Sequence, residues 1–307
     1  MHGEVGKNGL KIVYSGGYYV DIGLHVFPTK KYRLTYEYLL REGFVRKQDF
    51  LNPDPASDED ILLFHTRDYL NKLHNNSLSP RDIACLEMPF SPELFRAARL
   101  GVGGTILAGR LARKDGIGIH LGGGFHHALP DHGEGFCVLN DIVIGLRRLQ
   151  EEGEIVRGMV VDCDLHQGNG TAVGFAEDEN VFTFSIHQER IYPFPKEESS
   201  LDIGLTDGID DEGYLGYLRR SIPGIIEDFR PELILYVAGA DPYRDDQLGG
   251  LSLSIGGLIE RDKFVIGEAF SRGIPIVVVM GGGYAVRLED TVLIHANTVK
   301  TAMDILS

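Results

Sequence analysis

Seven side chains in this sequence are of types that do chemistry together: His126, His127, Asp162, Asp164, His166, Asp241 and Tyr284. In VDCDLH the acids Asp162 and Asp164 and the imidazole of His166 recur at a spacing of two. Side chains alternate in an extended chain, so all three project from one side. Asp241 adds a carboxylate just past another apolar run, in AGADPYRDD. Carboxylates with an imidazole suit a borderline divalent ion, Zn²⁺ by default and Fe²⁺ as its competitor, since oxygen donors select less than thiolates. Three protein ligands would leave a position open for water and substrate, as catalytic sites require. No acid stands in Gln167-Gly168-Asn169 after His166, which argues for one ion rather than a bridged pair. Cys163 alternates to the other side and is expected to pack.

His126 and His127 follow Gly122-Gly123-Gly124, a context unlike that of a core histidine. An imidazole beside such an ion can take a proton from water and return one to a leaving amine. A base of this kind needs an orienting acceptor, and Asp162 and Asn169 are the candidates. Tyr284 follows Gly281-Gly282-Gly283, where its phenol could stabilise an oxyanion. Gly135-Phe136 and Tyr192-Pro193-Phe194 could wall a slot for an aliphatic chain; ordinary loop packing is the alternative for Tyr192 and for Phe194.

These residues are far apart in the chain, so a scaffold must gather them. Six short runs rich in Val and Ile read as strands covered on both faces: Lys11–Tyr14, Gly116–His120, Gly158–Asp162, Val181–Ser185, Leu233–Val237 and Ile274–Met280. Ser91-Pro92-Glu93 reads as a helix start, with the helix running to about Lys114. Asn140 is expected to cap a second helix, with Ile142, Val143, Leu146 and Leu149 on one face. Leu215, Leu218, Ile222 and Ile225 suggest a third, kinked or broken at Pro223-Gly224. Strands alternating with helices predict an α/β fold of three layers, a mostly parallel sheet with helices on both faces. Each candidate residue then lies just past a strand, and ligands of open α/β sheets bind outside the strands' carboxyl ends. Asn52–Asp60 is polar and turn-rich but too near the start to divide domains, so one domain over residues 1–307 is expected.

Acids outnumber bases 45 to 30, for a formal charge of −15. Nucleic acid is a poor partner for such a chain, because phosphate binding needs concentrated positive charge. A cationic substrate would be attracted, although acidity also serves solubility alone. Cys85, Cys137 and Cys163 form no CxxC pair and are odd in number, favouring a reducing, cytoplasmic setting. MHGEVGKNGLKIVY contains no apolar leader segment, and no apolar run approaches a membrane span. Oligomeric state is not readable.

GGGFHHA, GFCVLND, VDCDLHQGNGTA, GADPYRDDQLGGLSLS and GGGYA, in this order, resemble the histone deacetylase family, the zinc-dependent class with an arginase-like fold. The likeness runs from about Tyr14 to the carboxyl end. HQGNG and the IYP of 191–193 look closest to the class IV branch and its bacterial relatives. The resemblance implies that Asp164, His166 and Asp241 are the metal ligands, and that His126 and His127 are the tandem histidines, the second as general base. It further implies that Asp162 pairs with the first histidine, that Tyr284 polarises the scissile carbonyl, and that Gly135 and Phe136 line the acyl-lysine channel. A structural K⁺ is implied at Asp162, Asp164, His166, Ser185 and Ile186. Some branches carry an aspartate where this chain has Asn169, and a neutral amide raises the basicity of His127 less. The implied activity is hydrolysis of acyl groups, acetyl or longer, from lysine side chains of a peptide or protein. An acetylpolyamine amidohydrolase is the alternative, and a silent acyl-lysine binder a third reading.

Overall fold

The apolar runs become the interior of one eight-stranded, all-parallel sheet. The computed structural model describes residues 10–306; the leader reading at residues 1–9 and the outermost bounds of the expected domain lie outside them. The strands are β1 (Ile12–Val13), β2 (Phe50–Leu51), β3 (Ile117–His120), β4 (Gly158–Asp162), β5 (Val181–Gln188), β6 (Leu201–Leu205), β7 (Leu233–Val237) and β8 (Ile276–Val279). Their order is β2-β1-β3-β8-β7-β4-β5-β6. All six expected strands are present. The sheet adds β2, two residues long, and β6, a half-exposed edge strand.

Alternation along the strands feeds two cores. Met159, Val161, Ile234, Tyr236, Ile276 and Val278 face one side, where helices Asp211–Phe229, Ile255–Ser271 and Leu288–Leu306 supply Leu218, Leu258 and Val299. Val160, Leu233, Leu235, Val277 and Val279 face the other, against Ala108 and Ala112 of helix Pro92–Asp115 and Ile142, Val143, Leu146 and Leu149 of helix Asp141–Glu151. Helices therefore cover both faces.

The capping signals hold. The Ser91 side chain accepts from Leu94 N with Pro92 in the first turn, and the Asn140 side chain accepts from Val143 N. The expected break at Pro223 does not occur: helix Asp211–Phe229 runs through it. Tyr214, Leu215, Leu218, Ile222 and Ile226 are buried along one stripe, while Gly224 beside the proline is exposed. The hydrogen bond missing at Pro223 is a smaller cost than exposing that stripe. Among the described residues, no helix is long and apolar enough to cross a membrane.

The register matters most for function. His120, Val279, Val237, Asp162 and Ser185 are paired in one row across β3, β8, β7, β4 and β5. The segments that follow these strands therefore start at one level, on one rim.

Candidate active site

The chain past β4 keeps its alternation beyond the ladder. Cys163 and Leu165 are buried in the same core as Met159 and Val161, so Cys163 packs as expected, and Asp164 and His166 turn the other way. They meet Asp241, from the segment after β7: one ligand atom from each residue lies within 4.8 Å of the others, and all three residues are buried. Asp162 takes no part in this cluster.

Backbone amides hold the acids in place. Asp164 Oδ2 accepts from Gly282 N at 2.7 Å, and Asp241 Oδ1 from Leu165 N at 3.1 Å. Asp241 Oδ2 is buried without a well-aligned hydrogen-bond partner, and His166 Nδ1 lies 3.3 Å from it. Burial, and then the Asp164 carboxylate, push the Asp241 carboxyl up. Two close buried carboxylates, one with an orphaned oxygen, are unfavourable unless a cation joins them. The donor set and this orphan fit a divalent ion, and the packing around it leaves no room for side chains. A Cβ on Gly282 would lie 2.1 Å from Asp241 Oδ2, and one on Gly239 would lie 2.6 Å from Asp164 Oδ2.

The tandem histidines enter from the segment after β3. His126 Nδ1 lies 2.7 Å from Asp162 Oδ2, and His127 Nδ1 lies 2.7 Å from Asn169 Oδ1. Both expected orienting acceptors are therefore used, one for each ring. The two Nε2 atoms are 3.1 Å apart. Burial alone would push His126 down, but Asp162 and Asp164 outweigh it and hold its pKa up to about 9. Burial and the neighbouring charges of His126 and His166 push His127 well down. One ring is thus built to be an imidazolium and the other a neutral base.

Tyr284 faces the histidines from the segment after β8. Its backbone is fixed at both ends, by its N–H to Asp246 Oδ2 at 2.7 Å and its carbonyl from Gln247 Nε2 at 2.7 Å. Burial pushes its phenol well up, so it stays a donor. His126, His127, Asp164, Phe136 and Tyr284 line one pocket, and it opens through a mouth lined by Glu87, His127, His166, Ile191, Tyr192, Leu248 and Tyr284. Gly135 is required in the wall: its φ is +51°, and a Cβ there would lie 2.7 Å from Tyr192 Oη and 2.8 Å from His127 Cδ2. Behind Phe136 is an apolar cavity lined by Tyr18, Phe27, Met88, Leu94, Phe125 and Val138.

Phe194 corrects the expected slot. It is 71% exposed, its ring carries Lys196 Nζ at 5.2 Å, and it lines neither pocket. Prolines flank it on both sides in a non-repetitive segment, so the two-residue spacing from Tyr192 does not fix its direction. Ser185 is paired with Asp162 across β4 and β5, and its hydroxyl lies 2.9 Å from His187 Nδ1; Ile186 is buried in the core.

Three residues around the site were not singled out from the sequence. Lys31, fully buried, donates to Gly281 O at 2.8 Å, and its Nζ sits 5.4–5.6 Å from the rings of Phe27, Tyr32 and Tyr284. Arg261 pairs with Asp262 at 2.9 Å and donates to Cys163 O at 3.3 Å and Gly239 O at 2.6 Å. It thereby ties together the two segments that carry the acidic ligands. Glu134 accepts from Asn169 Nδ2 at 3.1 Å and Tyr192 Oη at 2.7 Å. Lys30-Lys31 and Arg261-Asp262 read in sequence as solvated surface charge; only the adjacency of Glu134 to Gly135 offered a signal.

The histone deacetylase domain matches residues 25–299. An uncharacterised protein of Picosynechococcus sp. is 37% identical, over 97% of this chain and 99% of its own length. Histone deacetylase 2 of Arabidopsis thaliana is 32% identical, over 92% of this chain and 77% of its own. Histone deacetylase B of Dictyostelium discoideum is 33% identical, over 87% and 68%. With its parallel sheet, its rim of gathered segments and this match over most of its length, the chain belongs to the histone deacetylase family.

Proposed function

We propose that this protein is a zinc-dependent amidohydrolase, one catalytic domain that removes acyl groups from lysine side chains. The observation that carries the reading is that the Asp164, His166 and Asp241 cluster meets His127 and Tyr284, which line two adjoining pockets, one with Asp164 and the other with His166. When bound there, a divalent ion supplies a Lewis acid and makes water a nucleophile at neutral pH. Asp164, His166 and Asp241 would hold it. His127, neutral and buried, takes a proton from the attacking water as its oxygen bonds the acyl carbon. Tyr284 donates to the oxygen on which charge develops. The histidine pair then returns a proton to the lysine nitrogen as the C–N bond breaks, leaving a free amine and a carboxylate. Gly135, Phe136 and Tyr192 enclose the aliphatic stem, and the apolar cavity behind Phe136 supports acyl groups longer than acetyl.

Asp162, Asp164, His166, Ser185 and Ile186 are our candidates for a K⁺ site, supported by the pairing of Asp162 with Ser185. Glu87 at the mouth favours a second reading, hydrolysis of an acetylated polyamine, whose free ammonium it would attract. One screen separates the readings: turnover of zinc-loaded protein on lysine peptides bearing acetyl through myristoyl groups, beside acetylated polyamines. Turnover of acyl-lysine peptides is expected. Turnover of polyamines alone selects the second reading, and loaded protein inert toward every substrate sinks both.

A further inference from the structure

Glu134 lies outside the set of metal, histidine and tyrosine residues, yet hydrogen bonds run from it to the base. Its Oε1 accepts from Asn169 Nδ2 at 3.1 Å and from the Tyr192 hydroxyl at 2.7 Å, while Oε2 lies 3.2 Å from His132 Nε2. Asn169 in turn presents Oδ1 to His127 Nδ1 at 2.7 Å. We infer that Glu134 is a positioning residue that sets the tautomer of His127 through Asn169. This rests on the deacylase reading for its kinetic consequence, but not for its geometry.

The argument is one of donors and acceptors. A carboxylate only accepts, so the group of Asn169 that faces Glu134 must be its NH₂. The carbonyl of the same amide is then turned to His127 and can only accept there. His127 must carry its proton on Nδ1, which leaves Nε2 unprotonated, an acceptor 3.1 Å from His126 Nε2. The opposite arrangement would point the Asn169 carbonyl at the Glu134 carboxylate, two acceptors 3.1 Å apart. The neighbouring ring agrees. With His127 Nε2 bare, the 3.1 Å contact to His126 Nε2 requires a proton on His126 there, and the 2.7 Å contact to Asp162 requires another on Nδ1. His126 is then the imidazolium of the pair, the form its carboxylate neighbours favour. An asparagine beside the base is thus given a fixed polarity by a carboxylate one bond further out. Tyr192, bonded to the same oxygen, ties the mouth of the channel to this relay, and burial with Glu134 nearby keeps its phenol protonated.

Glu134→Gln keeps the shape but can donate as well as accept, so it lets the Asn169 amide turn over. A wrong histidine tautomer is costly for a general base, so kcat should fall roughly 10- to 100-fold with KM changed far less. Asn169→Asp alone should also be impaired, because it sets two carboxylates against each other. The double variant E134Q/N169D should recover at least tenfold over N169D, since the introduced amide can donate to the introduced carboxylate, which then accepts from His127 Nδ1. A purely structural role for Glu134 would make the double variant worse than either single one. The second readout needs no turnover: histidine ¹⁵N spectra of the zinc-loaded protein should show His127 protonated on Nδ1 in the wild type and a mixture in E134Q. The inference is overturned if E134Q keeps kcat within twofold, if the double variant gains nothing over N169D, or if the His127 tautomer is the same in E134Q. Inert wild-type protein with the expected His127 spectrum would refute the deacylase reading and leave the relay standing.

Discussion

Arg261→Met tests whether the acidic ligands are held from behind. Arg261 is fully buried, paired with Asp262, and bonded to the carbonyls of Cys163, one residue before Asp164, and Gly239, two before Asp241. Its removal takes a charged donor from two buried carbonyls, about 1.5–3 kcal/mol for such a bond. It also strips Asp262 of its partner, and breaking one side of a buried ion pair costs about 3–5 kcal/mol. Asp262 keeps the Tyr236 and Thr298 hydroxyls at 2.6 Å each, which points to the lower half of that range. The broken pair alone predicts a loss of about 3–4 kcal/mol in urea unfolding of metal-free protein, and the two carbonyls make that a lower bound. R261M/D262N should lose less, because no lone charge is left buried. Zinc affinity should fall about 10- to 100-fold, as when an outer support of a metal ligand is removed. A chromophoric chelator competing for zinc, well below the unfolding transition, measures this. Zinc affinity within threefold of wild type would refute the idea that Arg261 aligns the ligands, even with stability lost.

Tyr284→Phe should reduce kcat by about 10²–10³, with KM and zinc affinity nearly unchanged, in steady-state assays on an acyl-lysine peptide. Gly282→Ala, whose new Cβ would lie 2.1 Å from Asp241 Oδ2, should weaken zinc binding about tenfold or more in the same chelator competition while leaving the far-ultraviolet spectrum intact. His65, whose Nε2 accepts from Asn140 N at 3.1 Å, is pushed by burial from 6.5 down to about 4. Between those values the unfolded chain binds more protons, so stability falls as pH drops through the window, by roughly 3 kcal/mol from this group at its lower end. Urea unfolding of His65→Gln against wild type at pH 7 and pH 4.5 should show a shallower loss in the variant; equal losses would contradict it.

What could be read from the sequence follows from how locally each feature is determined. β4, β7 and β8 are continuous apolar runs, and their hydrophobicity alone names them. The alternation that buries Met159 and Val161 continues through Cys163 and Leu165, so Asp164 and His166 could be placed before any contact was known. β2 is two residues long, and β6 (LDIGL) is an edge with a polar and a glycine position, so neither carries a readable period. Phe194 lies in a proline-flanked loop, where no period fixes the direction of a side chain, so the sequence left loop packing and a channel wall both open. Asp162 shares the alternation of Asp164 and His166, but it takes the His126 ring, as the resemblance implied, and stays out of the ligand cluster.

Buried charge was hidden because its partners are remote in sequence. Lys31 reaches a carbonyl 250 residues away, and nothing near it in the chain distinguishes it from Lys30. Once placed, it changes the electrostatics of the whole rim. Asp162, Asp164, Asp241 and Asp246 are all buried there, and the cationic groups set against them are Lys31, His126 and His166. Burial pushes both Asp241 and Asp246 up and Lys31 down, to about 8, so every one of these charges is held at a cost. Among the described residues no further acid joins the Asp164, His166 and Asp241 cluster, which disfavours a second divalent ion there. The buried acids, the charged His126 and the neutral His127 answer to one requirement: that charges taken out of water be matched where they lie.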